Sequence, residues 1–535
     1  MTRVAALAIL FLVLIQPNHP QAMTWGALAV FPLELPVIVA ALLAFGPGRA
    51  GIALRILLVA AIWTIAVLKL ADFATFTAFN RGFNLVVDYH LLPAAWMLAQ
   101  GSLGGFLSWL ALVAIVLGLG ALGWLLWWAT GVLARVQMPK PARVLAGALV
   151  PVTAIVAVAE IGAARGAWTL PQELRPPGAA FTARVGLERV EHAIVARRDL
   201  ARFVTASQND PMVQIEPGLE RLGTRDMILI YVESYGRSSH ENPLYAPTHR
   251  ATLRRAEAKI GQAGLAIRSG WARAPMVGGQ SWLTHGSVAS GLWLDTQSRY
   301  RALLASPRRT LFHFAAQAGR RTVAIMPAHV LPWPEGRYFG FDAIYNADDL
   351  GYRGQPFNWV TMPDQFTLTA FERLEQSRPD RAPLVAQIAL VSSHAPWVPV
   401  PQLLPWDALG DGRIFDPWAL SGDPPEVVWR DHDRVRDQFR QAIDYSLETV
   451  GDWAARQGDT APLIVVMGDH EPARFVSGVD GFDVPLHVIG PPDLLALFDG
   501  LGWVQGMLPD PATPSLAMDA LRDLLLTRLS TDAAP

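Results

Sequence analysis

The stretch Leu463-Ile-Val-Val-Met-Gly-Asp-His-Glu-Pro472 decides the fold of the second part of this chain. Its apolar run, Leu463–Met467, has the length and composition of a strand that is buried on both faces. An acid and a histidine, Asp469 and His470, follow almost directly. Because ligands bind beyond the carboxyl ends of strands in open α/β sheets, this stretch predicts a polar site at one edge of a parallel sheet.

Similar apolar runs occur earlier in the chain and alternate with helical patterns. The other predicted strands are Met227–Val232, Thr322–Ile325 and Leu384–Leu390. The predicted helices are Pro247–Gln262, Arg309–Gly319, Asp364–Gln376, Asp431–Arg456 and Ser515–Leu529. This alternation predicts an α/β domain over 215–535, with a mainly parallel sheet flanked by helices. His487, in the apolar run Val-Pro-Leu-His-Val-Ile, is predicted to be a core or edge-strand histidine.

The first 165 residues have a different composition. The whole chain of 535 residues is 52% hydrophobic and 17% charged, and its charged residues are sparse before residue 165. The apolar stretches there are Val4–Ile15, Trp25–Phe45, Ile52–Phe76, Phe106–Leu133 and Val144–Ala159. We interpret them as an all-α transmembrane bundle of about five helices over 1–165, the first of which also resembles a signal peptide.

The basic residues of the short loops indicate the orientation of this bundle. Arg49 and Arg55 lie in one loop and Arg135, Lys140 and Arg143 in another, whereas the intervening short loops carry only Arg81. The positive-inside rule then places the N-terminus in the cytoplasm and everything after about residue 165 outside.

Ionisable residues near or within the apolar segments are Glu34, Lys69, Asp72, His90 and Glu160. Lys69 and Asp72 share a helix face, which predicts a neutralised structural pair, with a polar path for a lipid headgroup as the alternative. The segment 166–214 is expected to be an amphipathic linker helix on the membrane surface or against the soluble domain.

Composition also excludes some classes of function. A formal net charge of −2 gives no electrostatic footprint for nucleic acid. The absence of cysteine excludes a disulfide framework, a cysteine zinc site and a thiol nucleophile.

The residues that follow the predicted strands favour a metal site. Glu233 follows the first strand, His394 follows Leu384–Leu390, and two glycines lead into Ser281 at the expected start of a helix. Glu233, Ser281, Asp469 and His470 form an oxygen-rich set with one imidazole, which suits one divalent cation, Mn²⁺, Zn²⁺ or Mg²⁺. Metal binding and the helix N-terminus would both favour the alkoxide form of Ser281. Taken singly, Glu233 and Ser281 could instead be helix-capping residues, and His394 a turn histidine.

This order of motifs resembles the sulfatase-like branch of the alkaline phosphatase superfamily, and most closely the lipoteichoic acid synthases and phosphoglycerol transferases. The resemblance implies a metal held by Glu233, Asp469 and His470, with Ser281 at the position of the family's threonine nucleophile. It also implies that His394 contacts the substrate, and that Trp333 and Arg337, in Pro-Trp-Pro-Glu-Gly-Arg, grip a phosphoglycerol group.

The sequence departs from this family at the nucleophile. Serine replaces threonine, and Trp282-Leu-Thr-His285 does not reproduce the polar-acidic continuation of the family, which leaves Thr284 as a second candidate nucleophile. The Pro and Arg that sulfatases need after the nucleophile are missing, which argues against sulfate-ester hydrolysis. Phosphoethanolamine transferases usually begin with a Gly-Glu-Thr motif and carry disulfides, whereas this chain has Val232-Glu-Ser234 and no cysteine.

We therefore expect a phosphotransferase of a bacterial inner membrane, with its catalytic domain in the periplasm or otherwise outside the cytoplasm. It would move a phosphoglycerol-type headgroup from a phospholipid, phosphatidylglycerol being the expected donor, through a phosphoserine to a glycan or lipid acceptor. The alternatives are a phosphoethanolamine transferase, a phosphodiesterase or phosphatase of the same fold, and a non-catalytic membrane protein.

Overall fold

The structure, a computed structural model, describes residues 1–79 and 104–531 and, between them, residues 82, 83, 88, 92, 95, 96, 99 and 100. Arg81 and His90 lie outside the described residues. The chain divides into two compact units, Met1–Asp199 and Leu200–Pro535.

The first unit is helical. Its helices of ten or more residues, in the part of the unit that is described, are Thr2–Ile15, Glu34–Phe45, Arg49–Phe79, Gly105–Ala134, Lys140–Ala164 and most of Phe181–Gln208. Three of them, those beginning at Arg49, Gly105 and Lys140, are long and apolar enough to cross a membrane. The expected membrane domain is confirmed in this form. Thr2–Ile15 and Glu34–Phe45 have only 14 and 12 residues, fewer than the roughly 20 that a crossing needs, so five crossings stay a prediction.

One predicted apolar span is interrupted. Within Trp25–Phe45 the chain forms only the short helix Trp25–Leu28 before it becomes extended, and Glu34–Phe45 follows. Leu33 N donates to Ala179 O, and Phe31 O accepts from Ala179 N. Pro32, which has no amide hydrogen, lies in this extended segment, so continuing the helix would lose a backbone hydrogen bond there.

Lys69 and Asp72, which were predicted to pair with each other, each have another partner. Lys69 Nζ donates to Thr182 Oγ1 at 2.7 Å, whereas Asp72 forms an ion pair with Arg189. Both partners lie on Phe181–Gln208, so the first half of this amphipathic helix is anchored to the membrane helices by buried polar contacts.

The second unit contains a nine-stranded sheet. In chain order its strands are β1 Met227–Val232, β2 Ala266–Arg273, β3 Arg321–Met326, β4 Ala343–Asn346, β5 Leu384–Leu390, β6 Leu463–Gly468, β7 Asp483–Gly490, β8 Val504–Gln505 and β9 Leu516–Ala517. They lie in the order β4-β3-β5-β1-β6-β7-β2-β8, with β9 beside β2. The strands from β4 to β6 are parallel, and β7 is antiparallel to both β6 and β2. The predicted mainly parallel α/β domain is confirmed.

Both faces of the sheet are covered. Along β1, Ile228, Ile230 and Val232 belong to one buried cluster, whereas Met227, Leu229 and Tyr231 belong to the other. Helices Ala246–Gln262 and His432–Ala455 pack together, as do Ser281–Ser290 and Met518–Leu529. Asp431 caps one of these helices, since its carboxylate accepts from Asp433 N at 2.9 Å. The remaining helices of seven or more residues are Gln297–Leu304, Leu311–Gln317 and Asp364–Phe371.

The direction of the strands defines two edges. We call the edge at which β1 to β6 end the carboxyl edge and the opposite edge the amino edge. Because β2 runs antiparallel to β7, which runs antiparallel to β6, β2 also ends at the carboxyl edge. Every residue that follows one of these six strands therefore emerges on the same side of the sheet.

Candidate active site

Strand register places the two carboxylates side by side. β1 and β6 are parallel neighbours with Val232 opposite Gly468, so Glu233 and Asp469 emerge together. A Cβ on Gly468 would lie 1.7 Å from Tyr235 O, so only glycine lets the chain after β1 cross at this point. Ser234 N then donates to Asp469 Oδ1 at 2.8 Å.

Ser281 is brought to the same place by a strained loop. Gly278, Gly279 and Gln280 have φ of 75°, 134° and 65°, a conformation that is unfavourable for the glutamine in particular. The loop is held because Gly278 N donates to Glu471 O at 2.8 Å. The helix Ser281–Ser290 begins directly after it, as predicted, and Ser281 Oγ donates to Glu233 Oε2 at 2.9 Å.

Three of the four predicted metal ligands, all except Ser281, form one cluster of acids and histidine. Glu233, Asp469 and His470 each offer an atom within 4.8 Å of the others. His470 Nδ1 lies 2.9 Å from the Glu471 carbonyl, which fixes the proton on that nitrogen. Nε2 lies 3.1 Å from Glu233 Oε1 and 3.8 Å from Asp469 Oδ1, yet it is buried without a well-oriented hydrogen bond.

The cluster holds two adjacent buried acids, which can both be ionised only if a positive charge lies beside them. Burial, together with Glu233, raises the pKa of Asp469 well above its ordinary value. Burial also opposes charge on Glu233 and His470, but their mutual attraction prevails: the pKa of Glu233 falls below its usual range and that of His470 rises to about 10. Two buried carboxylates that share one imidazole nitrogen as their positive partner fit a divalent cation of the Mn²⁺, Zn²⁺ or Mg²⁺ type.

The loop after β5 adds His394 to this edge. Ser393 Oγ donates to Glu233 O at 2.6 Å, and His394 lies near enough to lower the pKa of Glu233. Asp364 holds the loop in place by accepting from Val391 N and Ser392 N, both at 2.8 Å. Neither Ser393 nor Asp364 was singled out by the sequence, because their contacts join strands that are far apart along the chain.

Trp333 and Arg337, the two residues expected to grip a phosphoglycerol group, lie in the connection between β3 and β4. Trp333 lines a small cavity of about 30 Å³ together with His285 and His329. Arg337 is exposed on the 3₁₀ helix Pro334–Phe339. The cavity adjoins the acidic cluster, because its lining residue His285 lies one helical turn after Ser281, whose hydroxyl donates to Glu233. Burial lowers the pKa of His285 to about 3. His329 has no sequence motif of its own, and only the fold brings it to this cavity.

The second candidate nucleophile, Thr284, has a different environment. It lies on the same helix as Ser281, but its side chain is completely buried and Oγ1 has no hydrogen-bond partner. Ser281 is partly exposed and bonded to Glu233. The geometry therefore favours Ser281.

Comparison with known proteins gives the class of fold. No family model matches the chain, and no curated protein matches it in sequence. Among solved structures, the integral membrane protein lipooligosaccharide phosphoethanolamine transferase A from Neisseria meningitidis matches with a TM-score of 0.50 and 12% identity, over 99% of this chain and 97% of that chain. The lipoteichoic acid synthase LtaP from Listeria monocytogenes has 14% identity and a TM-score of 0.36, over 59% of this chain and 77% of that one. The phosphoglycerol transferase GacH from Streptococcus pyogenes has 12% identity and a TM-score of 0.38, over 63% and 87%.

The likeness to the Neisseria protein, which extends over nearly the whole of both chains, confirms the predicted arrangement of a helical membrane domain followed by an α/β soluble domain. At 12% identity the likeness concerns the fold alone. The reaction has to be argued from the residues at the carboxyl edge.

Proposed function

We propose that the chain is a metal-dependent phosphotransferase that uses Ser281 as nucleophile and a membrane phospholipid as donor. The observation that carries this proposal is the hydrogen bond from Ser281 Oγ to Glu233 Oε2, 2.9 Å long, within a buried cluster of two acids and a histidine. A partly exposed hydroxyl beside a cation site is the arrangement that phosphoryl transfer through a covalent intermediate requires.

One divalent cation would be held by Glu233, Asp469 and His470, with Ser281 Oγ as a further ligand. When bound, it would stabilise negative charge on the serine oxygen and on the phosphoryl oxygens. His470 fits this role because the Glu471 carbonyl holds the proton of Nδ1, so that Nε2, which faces Glu233 and Asp469, would exchange its own proton for the cation.

Ser281 Oγ attacks the phosphorus of the donor, and its proton leaves towards Glu233, whose Oε2 already accepts it. The Oγ–P bond forms as the bond from phosphorus to the diacylglycerol oxygen breaks, and that oxygen takes up a proton. His394 would assist the leaving group or hold the substrate. The oxygen of an acceptor hydroxyl then attacks phosphorus, the bond from phosphorus to Ser281 Oγ breaks, and Oγ takes up the proton that the acceptor hydroxyl loses.

The donor we propose is phosphatidylglycerol, with Trp333 and Arg337 gripping the phosphoglycerol group. Trp333 lines the cavity beside the cluster, and Arg337 is free to approach a phosphate because it is exposed. The acceptor would be a glycan or a lipid. The charged loops of the membrane domain support a location outside the cytoplasm for this chemistry.

A direct test is to release diacylglycerol from phosphatidylglycerol or phosphatidylethanolamine vesicles with the full-length protein and Mn²⁺ or Zn²⁺. We expect turnover of phosphatidylglycerol, its loss in Ser281→Ala and partial retention in Ser281→Thr, which keeps the hydroxyl. Preference for phosphatidylethanolamine would instead support a phosphoethanolamine transferase. Release of free glycerol phosphate with every acceptor tested would support a phosphodiesterase.

The non-catalytic alternative makes a separate prediction. A protein that keeps only the fold should bind no stoichiometric metal and should be indifferent to Asp469→Ala. Metal analysis of the purified full-length protein and of this variant distinguishes the two cases.

A further inference from the structure

The exposed apolar side chains of the soluble domain are distributed very unevenly. Between residues 220 and 531 the large apolar side chains that the structure describes as exposed, which we call the apolar rim, are Leu244, Trp282, Val330, Leu331, Trp359, Ile414, Leu420, Trp429 and Phe482. Eight of them lie between the end of a strand and the first turn of the next helix of seven or more residues, and Phe482 directly precedes β7, which begins at the carboxyl edge. They therefore lie at the carboxyl edge, on the same side of the sheet as Ser281.

The amino edge exposes fewer apolar side chains. Ion pairs occur at both edges, for example Arg381 with Asp226 at the amino edge and Arg237 with Asp483 at the carboxyl edge. In the described part of the connections at the amino edge the large exposed apolar side chains are Val213 and Ile215, ahead of β1, which are only 40% and 37% exposed. Burial of a core does not require such an asymmetry, since scattered exposed apolar residues are ordinary but a concentration of them marks an interaction surface.

The most prominent part of the rim is the tip Val330–Leu331. These side chains are 66% and 73% exposed. The residue before the tip pair is held by two backbone hydrogen bonds, since His329 N donates to Met326 O and His329 O accepts from Ala347 N. Trp333, two residues beyond the tip, packs on Phe339 with ring centroids 5.5 Å apart.

Trp359 belongs to the same region. Its neighbours connect two loops of the carboxyl edge, because Asn358 Nδ2 donates to Val398 O and Thr361 Oγ1 donates to Pro327 O. Trp429 lies over the loop after β5, where its ring stacks on Trp397 with an interplanar angle of 9°. Trp359 and Trp429 are thus joined to the loop after β5, which carries His394, and Trp282 directly follows Ser281.

We propose that the apolar rim docks the soluble domain on the surface of a lipid bilayer, with Val330 and Leu331 inserted among the lipids. Three features favour a bilayer over a protein partner. The chain carries helices that can span a membrane, so a bilayer is always within reach. Tryptophan, which makes up a third of the rim, prefers the membrane interface. The rim side chains protrude singly from several loops, which suits a deformable surface better than the packed pockets of a protein interface.

The consequence is that the candidate nucleophile would face the layer in which phospholipid headgroups lie. The docking itself does not depend on which headgroup is transferred, or on whether transfer occurs.

The absence of cysteine makes the test clean, since one introduced cysteine can be labelled alone. Leu331→Cys would carry a fluorophore in the full-length protein, reconstituted into phosphatidylglycerol–phosphatidylcholine nanodiscs. Gln262→Cys is the matched control, because Gln262 is exposed at the end of a helix at the amino edge. We expect lipid-attached nitroxides to quench the Leu331 label several-fold more than the control, and aqueous iodide to quench it less.

Equal quenching at the two positions would overturn the proposal. Shielding of the Leu331 label that also appears in detergent and grows with protein concentration would overturn it too, in favour of contact between two copies of the chain.

A second measurement connects docking with chemistry. The double variant Val330→Ser/Leu331→Ser should turn over a bilayer phospholipid several-fold more slowly, but should cleave a water-soluble phosphodiester such as bis(p-nitrophenyl) phosphate at the unaltered rate. Equal loss on both substrates would contradict the role of the tip in docking. If the wild-type protein cleaved neither substrate, the proposed function would fail, while the label measurement would still decide the docking.

Discussion

The two edges of the sheet differ in how their polar groups are satisfied. At the amino edge, the Asp226 carboxylate accepts hydrogen bonds from Nη1 and Nη2 of Arg381, at 2.8 and 2.6 Å. It also accepts one from Leu384 N. At the carboxyl edge, His285 Nε2 is buried without a hydrogen bond, and His470 Nε2 lies beside two carboxylates without a well-oriented one. Satisfied ion pairs stabilise a fold, whereas unpartnered buried groups destabilise it and persist where function requires them. The comparison separates a structural edge from a functional one.

The largest effect expected at the functional edge is a loss of activity when the hydroxyl of Ser281 is removed. We expect Ser281→Ala to reduce phosphoryl transfer by more than about 10³-fold, because no other group replaces the nucleophile. Thr284→Val is the matched control on the same helix. Since Thr284 Oγ1 makes no hydrogen bond, this variant should keep the wild-type rate in the same turnover assay.

A second change should affect function and stability in opposite directions. Asp469→Asn removes one of two adjacent buried carboxylates, so we expect the metal-free variant to melt at a higher temperature than the metal-free wild type. Adding Mn²⁺ or Zn²⁺ should raise the melting temperature of the wild type and leave that of the variant unchanged. Thermal unfolding with and without a chelator measures both effects, and a variant that still responded to metal would remove Asp469 from the ligand set.

At the amino edge we expect a substitution to lower stability and leave activity unchanged. Asp226→Ala leaves the Arg381 guanidinium without its carboxylate partner and should lower the free energy of unfolding by about 2 kcal/mol. The loss is smaller than for a fully buried pair because Arg381 is partly exposed. The activity per folded molecule should not change. Denaturant titration of the full-length protein, with the turnover of its folded fraction, checks both statements; a loss of activity without a loss of stability would contradict them.

The smallest expected effect concerns His487, on β7. Burial lowers its pKa to about 3, and its nitrogens lie 2.7 Å from Ser269 Oγ and 3.1 Å from Tyr235 Oη. Between pH 6.5 and 3 the unfolded chain binds a proton there that the folded chain does not, so stability falls as the pH falls, by at most about 1.4 kcal/mol per pH unit for this group. His487→Leu should flatten the acid side of the curve of melting temperature against pH. An unchanged slope would show that His487 is protonated in the folded protein.

The sequence predicted the centre of the sheet well. The bounds of β1 and β5 agree with the structure, because central parallel strands are buried on both faces and leave continuous apolar runs. β2 was not predicted, since Arg268, Ser269 and Gly270 interrupt its apolar pattern. Its place in the sheet comes from pairing with β7, which no local pattern reveals.

The candidate site was predictable to the extent that it follows strand ends. Glu233, Asp469 and His470 come together because β1 and β6 are parallel neighbours, and Ser281 because a glycine-rich loop returns to them. Their roles in catalysis stay predictions. The pairing of Asp72 with Arg189 could not be read from the sequence, since these residues meet only when two helices pack.

The measurement that tests the central claim most directly is peptide mass spectrometry of the full-length protein after incubation with phosphatidylglycerol and Mn²⁺ or Zn²⁺. The account predicts a phosphoglycerol adduct on Ser281 that is absent from Ser281→Ala and present in Thr284→Val. A metal-loaded wild-type protein that turns over the lipid with no adduct on Ser281, or with an adduct on another residue, would contradict it.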